Sequence, residues 1–261
     1  MKIEDITVLI LTLNESANIR RTLNALTWAR NILVVDSGSV DETVEIIKEF
    51  RNTKIVVRNF DSFAKQCNFG LSIIETAWVL SIDADYIVPN SFSIEIESMH
   101  VHSDVVGLSA TFSYAIHGIN IGGSLYPPRC VLYRRSGARY IDEGHGHRLS
   151  ITGKVQALRS RICHDDRKEL SRWFGSQINY ARREAEYLIA APRANLSVVD
   201  RLRLLGWFTP MVVFFYALLW KGCIFSGYAG WHYVMQRTLA ETAIALEVID
   251  RRIIARMQNK L

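Results

Sequence analysis

The sequence predicts an α/β fold, a mostly parallel sheet flanked by helices, followed by a helical C-terminal region. Three observations predict it. Apolar runs of strand length alternate four times with segments of helical periodicity between Thr7 and Tyr86, the pattern of strands joined by right-handed helical crossovers. Three of these runs are followed at once by a polar cluster, Asn14 with Glu15, Asp36 to Ser39, and Asp83 to Asp85, and in an open sheet such clusters gather on one rim, where ligands bind. From Asp104 onward the alternation is lost, and residues 204–220 carry no charge at all.

Taken in order, residues 7–13 (TVLILTL) form a first strand, and Asn14, Glu15 and Ser16 open a helix with Ile19, Leu23 and Leu26 on one face. Residues 32–35 form a second strand ending at Asp36; Ser39 to Glu42 fit a capping box that starts a helix carrying Val44, Ile47 and Phe50. Residues 54–57 form a third strand, and a helix with Ala64, Asn68, Leu71 and Ile74 leads into a fourth at 78–82. Further strands are expected at 105–113 and 131–135, separated by an irregular glycine- and proline-containing loop or hairpin at 118–128. Residues 140–147 (YIDEGHGH) are too polar and glycine-rich for a core strand and are expected to form a flexible loop.

Leu170, Trp173, Phe174, Ile178, Ala181, Ala185, Leu188 and Ile189 recur at helical spacing up to Pro192, on a helix expected to pack on the sheet domain. Residues 204–220 are at the short limit for a bilayer span and contain Pro210, so a kinked, re-entrant or interface-lying segment is expected. Trp207, Trp220, Tyr228 and Trp231 suit the headgroup level, and Arg201, Arg203 and Lys221 suit anionic lipid. A buried helical hairpin or dimer interface is the soluble alternative. A last helix over about 231–258 carries Met235, Leu239, Leu246, Ile249, Ile253 and Met257 on one stripe.

Composition sets the bounds. The 261 residues are 49% hydrophobic and 22% charged, without repeat or low-complexity tract, and suffice for one large domain or a domain with an appendage. The net charge of +5 belongs to the tail: from Arg193 onward nine basic residues face four acidic ones, while residues 1–192 hold 22 of each. Cys67, Cys130, Cys163 and Cys223 lack paired spacing, so neither zinc nor a disulfide framework is suggested and reduced thiols are expected. Acidic Glu4 and Asp5 precede the short apolar run at 7–13, unlike a signal peptide, and the N-terminus is expected to stay in the cytoplasm.

The chemistry concentrates in the polar clusters. Asp83 and Asp85, two apart on an extended segment, can project together from a strand's carboxyl end. As hard oxygen ligands they suit Mg²⁺ or Mn²⁺, the usual partners of a nucleoside diphosphate. Asp36 can accept hydrogen bonds from a base or ribose. The acids and histidines of 140–147 include the residue types used as general bases near neutral pH, and Arg129, Arg134 and Arg135 could neutralise phosphates.

The motifs LTLNES (11–16), DSGSVDET (36–43), FAKQCNFGL (63–71) and WVLSIDADY (78–86), in this order and spacing, resemble the donor half of the family 2 inverting glycosyltransferases, which have the Rossmann-like GT-A fold. The similarity is nearest to bacterial lipopolysaccharide-core β-1,4-glucosyltransferases and related polysaccharide enzymes. It implies a nucleotide sugar, usually UDP-linked, bound by Thr12, Asn14, Glu15, Asp36, Ser37, Lys65 and Asn68. It also implies Asp83 at the ribose and Asp85 as the direct ligand of Mg²⁺ or Mn²⁺. Two positions depart from the family: Cys67 stands where arginine is usual, with Lys65 as the substitute, and His147 stands where relatives often carry glutamate or glutamine. Asp142 and Glu143 are the first candidates for the base, with His145 and His147 behind them.

The organisation implied is a donor-binding half at 1–110, an acceptor and catalytic half of the same domain at 111–166, and a helical, membrane-associated region at 167–261. The expected function is inverting sugar transfer to a lipid-linked saccharide acceptor in lipopolysaccharide or other cell-surface polysaccharide biosynthesis. The expected location is peripheral or monotopic, on an anionic membrane surface at the cytoplasmic face of the inner membrane. No nucleic-acid partner is expected, and a homo-oligomer is possible. The alternative is a non-catalytic nucleotide-binding subunit that tethers a polysaccharide assembly complex to the membrane.

Overall fold

The structure is a computed structural model and describes residues 1–143 and 146–258. The chain forms two compact units. One comprises Met1–Gly118, Tyr126–Asp142 and His147–Lys168, the other Ile119–Leu125, Glu143–Gly146 and Glu169–Leu261.

The first unit is built on β1 (Ile6–Thr12), β2 (Asn31–Asp36), β3 (Thr53–Val57), β4 (Trp78–Asp83), β5 (Tyr86–Ile87) and β6 (Val105–Ile116), with β8 (Arg129–Arg134) and β11 (Lys154–His164). The short β7 (Ile119–Ile121) belongs to the second unit. The sheet order is β3-β2-β1-β4-β8-β6-β11-β5. Strands β1 to β4 are mutually parallel, β8 is antiparallel to both β4 and β6, and β11 is parallel to β6. The fold is thus the expected α/β class, with antiparallel pairing confined to the later strands. Because β2 and β3 build outward on one side of β1 and β4 on the other, the strand order reverses between β1 and β4, and a crevice opens outside their carboxyl ends.

The apolar runs of β1, β2 and β4 are continuous because both faces are covered. Val8, Ile10, Val34 and Leu80 pack with α1 (Ile19–Asn24) and α2 (Thr43–Lys48) on one side. Leu9, Leu33, Val35 and Val79 pack with α3 (Phe63–Ile73) on the other. The close approach of α3 requires Gly70, where a Cβ would lie 2.5 Å from Leu9 Cδ1.

Two local expectations are corrected. The capping box at Ser39 does not form: α2 begins at Thr43, and Ser39 turns instead to Asp36. The described residues 140–143 and 146–147 are strand and not a flexible loop, since β9 (Arg139–Glu143) and β10 (Gly146–Ser150) pair with each other. The longest elements that went unread are α4 (Asn90–Ser98) and β11.

The second unit is helical. In it α5 (Leu170–Ala190) buries Ala181, Ala185 and Leu188 against Ile244 and Val248 of α8 (Gly227–Gln258), which is the partner of its apolar face, where the sequence suggested the sheet domain. Arg203, at the end of α6 (Val198–Arg203), sits between Glu184 of α5 and Glu241 of α8, at 3.1 and 2.5 Å. The two carboxylates tolerate burial because the guanidinium satisfies them. The buried stripe of α8 is therefore Tyr233, Ala240, Glu241, Ile244 and Val248, and the expected stripe residues Met235, Leu239, Leu246, Ile253 and Met257 are exposed. Pro210 does not kink a helix; it starts one, α7 (Thr209–Phe215), whose first turn needs no proline N–H. The break comes later, at Gly222, whose left-handed φ of +69° precedes α8.

Candidate functional site

At the crevice the loops after β1 and β2 are joined by their own side chains. Asp36, only 1% exposed, accepts from the Thr12 and Ser39 hydroxyls at 2.7 and 2.6 Å and from the Gly38 and Ser39 N–H groups at 2.9 and 2.8 Å. Four donors saturate its carboxylate, so Asp36 shapes the loop and presents no free oxygen to a base or ribose. Asn14, held at a φ of 55°, donates its N–H to Ser39 Oγ and accepts from Val40 N. Ser37 Oγ accepts from Gln66 Nε2 at 3.0 Å. Glu15 accepts from Lys168 Nζ at 2.7 Å and Asn18 Nδ2 at 3.0 Å.

The residues on and after α3 divide. Lys65 is exposed, 3.7 Å from Asp61, and Cys67 is buried in the core with its thiol pushed up by burial. The Asn68 amide pairs with the Tyr140 backbone, donating to its carbonyl at 2.9 Å and accepting from its N–H at 2.8 Å. Asn68 thus anchors the β9–β10 hairpin, with both ends of its amide engaged.

The end of β4 is different. Asp83 is exposed and has no hydrogen-bond partner among the described residues. Asp85 is buried; one oxygen lies 3.3 Å from His164 Nε2, and the other, Oδ1, is buried with no partner. Burial pushes the Asp85 carboxyl up, the His164 ring opposes this, and Asp83 adds to it. His164 closes β11 opposite Tyr86 and Tyr114, its ring stacked 4.5 Å from that of Tyr114, and its Nδ1 is likewise buried and unpartnered. Isolated buried acceptors are rare in folded chains and ask for a ligand.

On the hairpin, Asp142 accepts from Ser62 Oγ at 3.0 Å and, at 3.4 Å, from Ala64 N at the start of α3. His147 packs 5.1 Å from the Tyr140 ring and 5.7 Å from Phe63. Burial lowers its pKa, with Asp83 and Asp142 pulling the other way and Arg129 adding to the lowering. For Glu143 only the backbone in β9 is described, and His145 lies outside the described residues.

Residues 7–138 match the family model Glycosyl transferase family 2. The chain belongs to this family. Its first 93-residue match is 39% identical to an uncharacterized glycosyltransferase of Rickettsia bellii, covering 35% of this chain and 31% of that protein. A lipopolysaccharide core biosynthesis glycosyltransferase, LpsC, of Rhizobium meliloti is 28% identical over 152 residues, 56% of this chain and 53% of that one. The chain thus spans between about a third and about half of the length of these relatives. Among solved structures, S. aureus TarS in complex with UDP-GlcNAc aligns over 98% of this chain and 91% of that one, at 16% identity and a TM-score of 0.46.

For this family 2 chain, several site residues escaped the reading of the sequence. His164 ends β11, and Asp165, Asp166 and Lys168, which follow it, tie it to Glu15 and Asn18 of the β1–α1 loop and to Arg21 of α1. The segment HDDRK was legible as a polar cluster after an apolar-alternating run, had that run been taken as a strand. The family implies a divalent cation, and the residues fit one: the orphaned oxygen of Asp85 is a hard donor that Mg²⁺ and Mn²⁺ both take, and the imidazole of His164 beside it is a donor better matched to Mn²⁺ than to Mg²⁺. Among the described residues no group of three or more such side chains could enclose an ion alone. The remaining positions would fall to water and phosphate oxygens, the usual arrangement for a cation carried with a nucleotide.

Proposed function

We propose that this chain is an inverting glycosyltransferase that moves a sugar from a nucleotide donor, UDP-linked by resemblance, to a lipid-linked saccharide acceptor in lipopolysaccharide or other cell-surface polysaccharide biosynthesis. The observation that carries the reading is the unsatisfied Asp85–His164 pair beside Asp83, at the strand-order reversal of a family 2 sheet. Asp85 and His164 would hold Mg²⁺ or Mn²⁺, and when bound the cation offsets the charge of the departing diphosphate as a Lewis acid. Thr12, Asn14 and Ser37 line the loops that would receive the nucleoside. The acceptor hydroxyl must lose a proton as it attacks. We take His147 as the base, since burial lowers its pKa and so favours the imidazole form that has a lone pair, while Asp142 already accepts from Ser62 and Ala64. One in-line displacement inverts the anomeric carbon.

The test is turnover. Full-length protein with a panel of UDP sugars, extracted polyprenol-linked acceptors and Mn²⁺ should release UDP, and chelation or Asp85→Ala should abolish the release. Full activity of Asp85→Ala contradicts the reading. Nucleotide binding without turnover across the pool would instead favour the non-catalytic tether.

The second unit supports a membrane location, proposed as monotopic on the cytoplasmic face of the inner membrane. No single described helix is long and apolar enough to cross a membrane, but Thr209–Trp220 and Cys223–Gln258, bent by 68°, pass together by length and composition. Along and just before them Trp207, Trp220, Phe225 and Tyr228 are 77%, 80%, 90% and 97% exposed, with Lys221 among them, a composition that suits the headgroup region. Burying one such ring is worth about 2 kcal/mol. Phe225→Ser should therefore weaken co-sedimentation with anionic vesicles roughly tenfold or more; unchanged partition contradicts insertion.

A further inference from the structure

Three arginines of β8 and its end could meet phosphate, and the structure separates them. Arg134 donates from Nε to the Val105 carbonyl at 2.9 Å and lies 4.7 Å over the Trp78 ring, so it is spent on the sheet. Strand β8 runs antiparallel to β4, with Leu132 opposite Leu80 and Arg134 opposite Trp78. Arg134 and Arg135 therefore lie at the amino end of β4, away from the crevice. Arg129 begins β8 at the opposite end, toward the carboxyl end of β4, near enough to Asp83 for that carboxylate to act on its charge.

Among the described residues, five cations of the surrounding loops and of α1 and α3 each have a carboxylate. Lys168 is held by Glu15 and Asp166, Arg21 and Arg167 by Asp165, and Arg58 and Lys65 by Asp61. Among the described residues the Arg129 guanidinium meets no carboxylate and no hydrogen-bond acceptor; it lies 4.7 Å over the Tyr126 ring. The groups near enough to act on its charge are Tyr126, Tyr86, Asp83 and Tyr140. Tyr126 in turn has its ring 5.3 Å from that of His164 and its hydroxyl hydrogen-bonded to that of Tyr86. A guanidinium stacked on an aromatic face has its direction fixed while its N–H fork stays free, the form in which arginine recognises phosphate oxygens in pairs.

We propose that Arg129 binds the diphosphate of the nucleotide donor, an assignment that rests on the sugar-transfer reading above. In the displacement the bond from the anomeric carbon to the phosphate oxygen breaks, and its electron pair leaves with the diphosphate. A bond to the acceptor oxygen forms as that hydroxyl gives its proton to the base. Arg129 receives the extra negative charge on the leaving group through charge-assisted hydrogen bonds. Its role differs from that of the Asp85–His164 pair, because it acts on phosphate directly and so contributes without a cation.

The test is calorimetric titration of UDP and uridine into wild-type, Arg129→Gln, Arg129→Lys and Arg135→Gln proteins, each with and without Mn²⁺. Arg129→Gln should weaken UDP about 10- to 100-fold in both conditions, Arg129→Lys less, and uridine affinity should stay within about twofold. Arg135→Gln should match the wild type. Unchanged UDP affinity in Arg129→Gln, or equal losses for UDP and uridine, overturns the assignment alone. A wild-type protein that binds neither compound overturns it together with the nucleotide-sugar reading.

Discussion

Two stretches of the same sheet edge hold their polar groups in opposite states. After β1 and β2, Thr12, Asp36, Gly38 and Ser39 satisfy one another, and Asp36 has no oxygen to spare. At the end of β4, among the described residues, Asp83 is unpartnered, Asp85 Oδ1 and His164 Nδ1 are buried without hydrogen-bond partners, and the Arg129 guanidinium, stacked on Tyr126, meets no carboxylate. A saturated network rigidifies its loop, whereas unsatisfied buried groups cost stability unless something else binds them. The difference teaches that the acidic residues carried over from the family divide into those whose oxygens are saturated within the loops and those whose oxygens stay open at the crevice.

The comparison can be broken most severely at Asp36. Asp36→Ala strands two hydroxyls and two part-buried N–H groups and should cost about 2 kcal/mol of stability, read as a lower urea midpoint. A fully stable variant that merely loses nucleotide would move Asp36 to the chemical group. Asn68→Ala, which removes both bonds to Tyr140, should cost about 1 to 2 kcal/mol. It should also loosen the hairpin, seen as faster amide exchange around residues 139–142. Unaltered exchange there would show that the hairpin holds itself.

The smallest effect concerns pH. Burial depresses the His147 pKa in the folded state, so the unfolded chain takes up the proton first. The stability tied to neutral His147 is complete above its ordinary value of about 6.5 and is lost as pH falls through the depressed one. His147→Gln should flatten the acid side of the stability profile by less than about 1 kcal/mol, while the activity profile should lose its acid limb with the activity itself. An acid limb of activity that persists in this variant assigns the base elsewhere.

The first four strands were legible because sheet strands covered on both faces leave unbroken apolar runs, and the polar residues that follow them mark their ends. Strand β11 was not. Its sequence KVQALRSRICH alternates charged with apolar residues, and a register shift between Ala157 and Arg161 disturbs even that alternation, so His164 stayed out of sight. The hairpin at 139–150 looked like a loop because nothing local reveals that Asn68, from α3, holds the Tyr140 backbone as a neighbouring strand would. In α8 the long apolar residues drew the eye, yet the small ones are buried, since close packing on α5 favours Ala and the Arg203 ion pairs draw Glu241 inward. Propensity alone does not report such pairings.

The central claim is that the unsatisfied groups at the end of β4 hold a cation together with a nucleoside diphosphate. It is tested most directly by electron paramagnetic resonance of Mn²⁺ titrated into the protein with UDP present. The signal of free Mn²⁺ should fall stoichiometrically for the wild type and for Ser39→Ala, and should not fall beyond the protein-free UDP control for Asp85→Ala. Equal Mn²⁺ uptake by Asp85→Ala and the wild type would contradict the account.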